Sequence, residues 1–171
     1  FFLPYLGQLV QKLCEIAGDT EVEPLIRDNS MICLSAIAEG APEMCQSIEE
    51  YYDSVFKTLL EVSAEIDDDS PWEYDANNYD PYQTALDQIG VLFEKFDNPN
   101  IFVPIIELVM SVLSADEVPW QTVYAAISAL ADINMIAMSS IDEEIQKNLF
   151  ERVALFIDIE CHPRVRVAIY N

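Results

Sequence analysis

The sequence predicts an all-α chain in which helix pairs are stacked repetitively, and three observations carry that prediction. Apolar residues recur at offsets of three and four along most of the length, only 4 of 171 residues are glycine, and one short helical segment returns further along the chain. Apolar positions three or four apart share one face of a helix, and scarce glycine leaves few sites for tight hairpins. With 51% hydrophobic residues the chain can bury a sizeable core, which disfavours disorder.

The first helix carries Leu6, Leu9, Val10 and Leu13 on one stripe. Three more bulky helices follow, marked by Val55, Leu59, Val62 and Ile66, by Ile101, Ile105, Leu108 and Val112, and by Ile145, Leu149, Val153 and Phe156. Between them lie helices of a second kind, rich in small residues. Leu34-Ser35-Ala36-Ile37-Ala38-Glu39 returns class for class as Ile127-Ser128-Ala129-Leu130-Ala131-Asp132, with a weaker copy at Leu86-Asp87-Gln88-Ile89-Gly90-Val91. The copies stand 52 and then 41 residues apart, and Trp120 to Pro163 adds a step of 43. Roughly 40 to 47 residues is the HEAT/armadillo period. Small-residue helices admit a close neighbour and bulky ones fill the layer, and neither buries its face without the next pair stacked on it.

The predicted architecture is a right-handed HEAT-repeat α-solenoid. Its expected division is residues 1–18 as the second helix of a cut repeat, repeats over 21–66, 81–114 and 117–158, and the start of another at 162–171. Pro24, Pro81, Pro119 and Pro163 stand near the heads of the small-residue helices, where a missing N–H is not needed. Glu21, Glu23, Asp80, Asp116 and Glu117 suit the positive end of those helix dipoles. The long step of 52 contains an insertion over 67–80, with six acids, no base and no helical periodicity, expected to project from one edge as an acidic loop.

Eight Lys plus Arg against 31 Asp plus Glu give a net charge of -23, which repels nucleic acid and anionic membranes and favours a basic protein partner. Cys14, Cys33, Cys45 and Cys161 form no CxxC pair and no metal-ligand spacing with the single histidine, so they read as buried thiols in a reducing compartment. His162 adjoins Cys161, and adjacent side chains seldom face each other, so no Cys–His or Ser–His chemistry is expected. Phosphate-binding glycine loops are absent, and the loop from Asp67 lacks the sixth-position glycine and twelfth-position glutamate of a calcium-binding EF-hand. Neither enzyme activity nor a cofactor or metal is expected. The apolar start lacks a basic region and a cleavage site, no apolar run is long enough for a bilayer, and both ends read as cut from a longer array.

The loop residues Asp67, Asp68, Asp69, Glu73, Asp75 and Asp80 are candidate partner contacts, with a solvated linker as the alternative. Trp72 is expected to pack on the solenoid. The acids of the bulky helices, Glu49, Glu50, Asp53, Glu61, Glu65, Glu107, Glu143, Glu144 and Glu151, read equally well as a cargo-lining surface or a solvated face. Arg27, Arg164 and Arg166 are expected to be structural.

Several stretches together resemble the importin-β (karyopherin-β) nuclear transport receptors, especially members with an acidic insertion between central repeats. These are His162-Pro163-Arg164-Val165-Arg166 with Ala168, Leu34 to Pro42, the Asp-rich loop closing on Pro71-Trp72-Glu73, Gln83 to Ile89, and Trp120 to Ala131. The chain departs from the family's pattern at Gln121 to Tyr124, which lack basic residues, and at Asn134-Met135 in place of a glycine-bearing helix end. The resemblance implies a receptor shuttling between cytoplasm and nucleus through the nuclear pore. It implies basic cargo proteins on the concave face of bulky helices, phenylalanine-glycine nucleoporins between the outer helices, and Ran GTPase at acidic loops. It also implies that the arginines pair with acids of adjacent repeats, Asp158 or Glu160 among them. A HEAT scaffold of another kind, such as a phosphatase regulatory or chaperone-type subunit, is the alternative.

Overall fold

The computed structural model describes residues 3–48, 51–72, 80–95, 99–132, 141–158 and 161–170. Within them run α1 (Leu3–Gly18), α2 (Pro24–Gly40), α3 (Pro42–Gln46), α4 (Tyr51–Ser63), α5 (Pro81–Lys95), α6 (Pro99–Leu113), α7 (Trp120–Ala131), α8 (Glu143–Asp158) and α9 (Pro163–Tyr170), and the described residues contain no strand.

The helices form two layers. The small-residue helices α2, α5, α7 and α9 pack in succession, and so do the bulky helices α1, α4, α6 and α8. Each small-residue helix also rests on the bulky helix that precedes it, as α2 on α1, α5 on α4, α7 on α6 and α9 on α8. The residue types explain this. Ala125, Ala126 and Ala129 are buried and bring the backbone of α7 close to its neighbours, while Val55, Leu59, Phe102, Ile105, Ile106 and Val109 fill the interior. Phe56, Phe93 and Phe102 join α4, α5 and α6, with ring centres 5.2 and 5.6 Å apart. Burying one such side chain contributes about 1.5–3 kcal/mol, so the layer interfaces carry most of the stability.

Polar contacts fix the register between layers. Ser35 Oγ donates to Gln88 Oε1 across α2 and α5, and the buried Tyr51 hydroxyl donates to the Leu34 carbonyl at 3.0 Å. Buried Arg27 donates from Nε to the Ala17 carbonyl at 2.8 Å and from Nη2 to Glu65 Oε1 at 2.6 Å, tying the end of α1 to the head of α2 and the segment after α4. Proline opens α2, α5 and α9 as expected, and Pro119 precedes α7. Glu23, beside the head of α2, makes no side-chain cap, while at the head of α5 the Asp80 carboxyl accepts from the Tyr82 N–H and its backbone carbonyl from the N–H groups of Gln83 and Thr84.

Two expectations are corrected, and one element is added. Leu9 is 38% exposed, because the buried stripe of α1 runs through Leu6, Val10 and Ala17, which are four and then seven residues apart. Only Cys45 of the four thiols is buried, since Cys33 faces outward on α2 and Cys14 and Cys161 are half-buried. The short α3 breaks the connection between α2 and α4, opened by Pro42. No helix among the described residues is long and apolar enough to cross a membrane.

Candidate functional site

The acidic loop leaves α4 through a fixed point. Ile66 is buried against Tyr82 and Leu86 of α5, with Trp120 and Tyr124 of α7 packed on the same cluster. Beyond it Asp67, Asp68 and Asp69 are exposed, and Ser70 Oγ accepts from the Asp67 N–H at 3.1 Å, which curls the chain into a turn. This turn does not project freely. Residues 67–72 are held against the first turn of α9, some 94 positions later.

Arg164 does most of the holding. Its guanidinium donates from Nη2 to the carbonyls of Ser70 and Pro71 and lies 4.6 Å from the centre of the Trp72 ring. His162 adds a second tie. Its ring stacks on Trp120 with centres 3.7 Å apart, its Nδ1 accepts from the Arg164 N–H at 3.4 Å, and its Nε2 stands 3.8 Å from Asp68 Oδ1. A hydrogen bond from a charged donor contributes about 1.5–3 kcal/mol, whereas an exposed ion pair contributes about 0–1. Asp68 is exposed, so the Arg164 bonds outweigh the Asp68–His162 contact.

Two sequence expectations concern this clasp. Arg164 is structural as expected, and its partners among the described residues include loop carbonyls and a tryptophan face; Asp158's side chain and Glu160 lie outside the described residues. Trp72 stays 62% exposed, packing one face on Arg164 and leaving the rest open, because the ring sits at the edge of the layer.

Of the candidate loop residues, Asp67, Asp68 and Asp69 form an exposed acidic turn, and Asp80 stands apart at the head of α5. Burial pushes the Asp80 carboxyl above its ordinary value, and the charges of Asp28 and Asp67 add to this, while the Tyr82 N–H and Arg164 oppose it. Glu73 and Asp75 lie outside the described residues. Among the bulky-helix acids, Asp53, Glu61, Glu65, Glu107, Glu143, Glu144 and Glu151 are exposed, and Glu49 and Glu50 lie outside the described residues. Glu61 and Glu151 pair with Lys57 and Lys147 one turn away at 4.0 and 3.8 Å, and Glu65 is taken by Arg27. Asp53 and Glu107 flank a shallow depression between α4 and α6, floored by Phe56, Ile105 and Leu108.

No group of His, Cys, Asp and Glu among the described residues has the geometry to hold a metal ion. Sequence reasoning did not find the Trp120–His162 stack or the Arg164–Trp72 contact. Their only local signal is an aromatic at one helix head and His-Pro-Arg at another, and neither says which loop will meet them.

This geometry, two layers of alternating small and bulky helices clasped by an acidic inter-helix loop, defines an all-α HEAT-repeat solenoid. Residues 19–90 match the importin repeat family. Importin subunit beta-3 of Saccharomyces cerevisiae (strain ATCC 204508 / S288c) is 26% identical over 181 residues, an alignment covering 99% of this chain and 16% of that protein. Among solved structures, Kap121p bound to Pho4p superposes with a TM-score of 0.83 at 21% identity, covering 98% of this chain and 17% of that one. Kap121p bound to Nup53p gives the same figures, TM-score 0.83 and 21% identity over 98% and 17%. The chain thus spans about a sixth of the length of the relatives it matches.

Proposed function

We propose that this chain is a protein-binding segment of a nuclear import receptor of importin-β type. The observation that carries the reading is the end-to-end likeness to importin subunit beta-3 in sequence and to Kap121p in helix stacking. Like Kap121p, whose structures are bound to Pho4p and Nup53p, the natural protein would carry cargo and meet nucleoporins. With 31 acids against eight bases, the cargo class that fits is basic, because complementary potential speeds encounter and disfavours wrong partners. Control by Ran GTPase, phenylalanine-glycine nucleoporins between outer helices, and shuttling between cytoplasm and nucleus complete the proposal. The repeat division is 21–66, 81–114 and 117–158, with partial repeats at 1–18 and 162–171.

Within it, the exposed turn Asp67, Asp68 and Asp69, continued by Glu73, Asp75 and Asp80, is the proposed partner contact. The clasp on α9 supports this by presenting the first three acids at a fixed place, so a basic partner meets them without first ordering the loop. The test is binding of GTP-loaded Ran to the natural protein at low and high salt, with and without these acids changed to Asn or Gln. Weaker and less salt-sensitive binding in the variant is expected. Unchanged binding would remove the loop from the site, and no Ran binding at either salt would leave a HEAT scaffold of the phosphatase-regulatory or chaperone type.

A further inference from the structure

In a stacked helical array each helix pair touches only the next, so a contact that leaps over whole pairs calls for an explanation. The segment 66–72 makes such a contact. It follows α4, yet the carbonyls of Ser70 and Pro71 accept from Arg164 of α9, 94 positions after Ser70, with α5, α6, α7 and α8 lying between in the chain.

The segment reaches α9 across the heads of the intervening small-residue helices. Tyr82, Trp120 and Arg164 stand in the first turns of α5, α7 and α9. Ile66, 1% exposed, is buried against Tyr82 with Trp120 packed on the same cluster, and the Trp72 ring covers the Arg164 guanidinium. The stack of His162 on Trp120 joins the last two heads directly. One short segment, fixed at Ile66 and again at Ser70 to Trp72, therefore spans three successive helix heads.

Two properties of the chain give such a tie a role. Helix α7 meets its neighbours through Ala125, Ala126 and Ala129, and faces of small side chains interlock little, which permits the small sliding of packed helices called shear. A formal charge of -23 also pushes the body toward expansion. The alanine face does not oppose that push, whereas a tie across the heads does.

We propose that residues 66–72 form a strap that holds the end of α4 and the head of α9 at a fixed distance, and so sets the spacing of the heads between them and the local curvature of the solenoid. The strap is releasable, because its far end rests on one guanidinium and on a tryptophan 62% exposed, and thinly covered segments open at low cost. Asp67, Asp68 and Asp69 sit on it, so whatever engages that turn acts on the curvature too. The strap needs no partner to act, so its failure would leave the import reading as it stands, and failure of that reading would leave the strap.

The test is the distance between two spin labels in the natural protein, carried on bio-orthogonal side chains at the exposed positions of Glu61 in α4 and Arg166 in α9 and read by double electron–electron resonance. The deciding variant inserts a short flexible Gly-Ser linker between Ile66 and Asp67, which slackens the strap and keeps every side chain that holds it. The mean distance should lengthen by about 2 Å or more, the scale of helix shifts at packed interfaces. Arg164→Met, with its helical content checked by circular dichroism, should lengthen it as much. Asp68→Asn, which keeps the carbonyl bonds and the tryptophan face, should not. An unchanged distance in the linker variant would overturn the proposal whatever Arg164→Met does, and so would an unchanged distance in folded Arg164→Met. Equal lengthening in Asp68→Asn would assign the effect to the charge of the turn and overturn it too.

Discussion

Replacing Arg27 by Met should loosen the junction of α1, α2 and α4 more than any other change of a charged residue in the chain. The side chain is 6% exposed, and its Glu65 partner is 31% exposed. Methionine keeps the buried stem and removes the guanidinium. The first loss is the 2.8 Å bond to the carbonyl of Ala17, a helix-end group fully buried and left without a partner, at about 1.5–3 kcal/mol. The second is the 2.6 Å pair with Glu65, about 1 kcal/mol after solvent screening. Together they amount to about 3 kcal/mol. Because a solenoid opens repeat by repeat, the loss should be local, and amide hydrogen exchange of α1 and α2 is the proper assay. Exchange there should quicken about a hundredfold while α8 and α9 are unchanged. Glu65→Gln, which keeps a neutral acceptor, should cost about 1 kcal/mol or less. An Arg27→Met protein within about 0.5 kcal/mol of the unaltered one, or one no worse than Glu65→Gln, would refute the reasoning.

Other consequences follow from buried polar groups. Asp28 is 4% exposed, its Oδ1 has no hydrogen-bond partner, and burial raises its pKa above 3.8 against the opposing Thr84 bond and Arg27 charge. A raised folded pKa means that stability is fully present below the unfolded value and is lost as pH rises through the folded one. Asp28→Asn should therefore raise the melting temperature at about pH 7 and change it little at about pH 3. Tyr51→Phe should destabilise by about 0.5–1.5 kcal/mol in thermal unfolding, through the lost bond to the Leu34 carbonyl, and its burial keeps the phenol neutral well above its usual range. Arg164→Met should release the loop, so that limited proteolysis cuts within 67–72 at least about tenfold faster, whereas Asp68→Asn should change the rate little.

Much of the solenoid was legible because its signals are local. The stripe of Val55, Leu59 and Val62 is an intrinsic property of one helix, and so is the small-residue face of Ala125, Ala126 and Ala129. Proline heads could be read for the same reason. What escaped depends on how repeats stack. Nothing near Arg164 indicates that its acceptors are the carbonyls of Ser70 and Pro71, because only the packing of α5, α7 and α9 brings the two segments together. Leu9 reads as buried on spacing alone, yet one step of rotation along α1 leaves it outside the stripe that meets α2 and α4. The candidate loop was legible as an acidic insertion, but that its first residues are clasped was not, since charge alone predicts repulsion from an acidic body and says nothing of one buried arginine.

Nucleotide-dependent release of cargo tests the import reading most directly. The natural protein containing this chain, immobilised and loaded from a cell extract, is washed with Ran in its GTP-bound and then its GDP-bound form, and released proteins are compared by charge. GTP-loaded Ran should release a set of basic proteins that GDP-loaded Ran leaves in place. Equal release by both forms, or by neither, from a column that retains bound protein would contradict it.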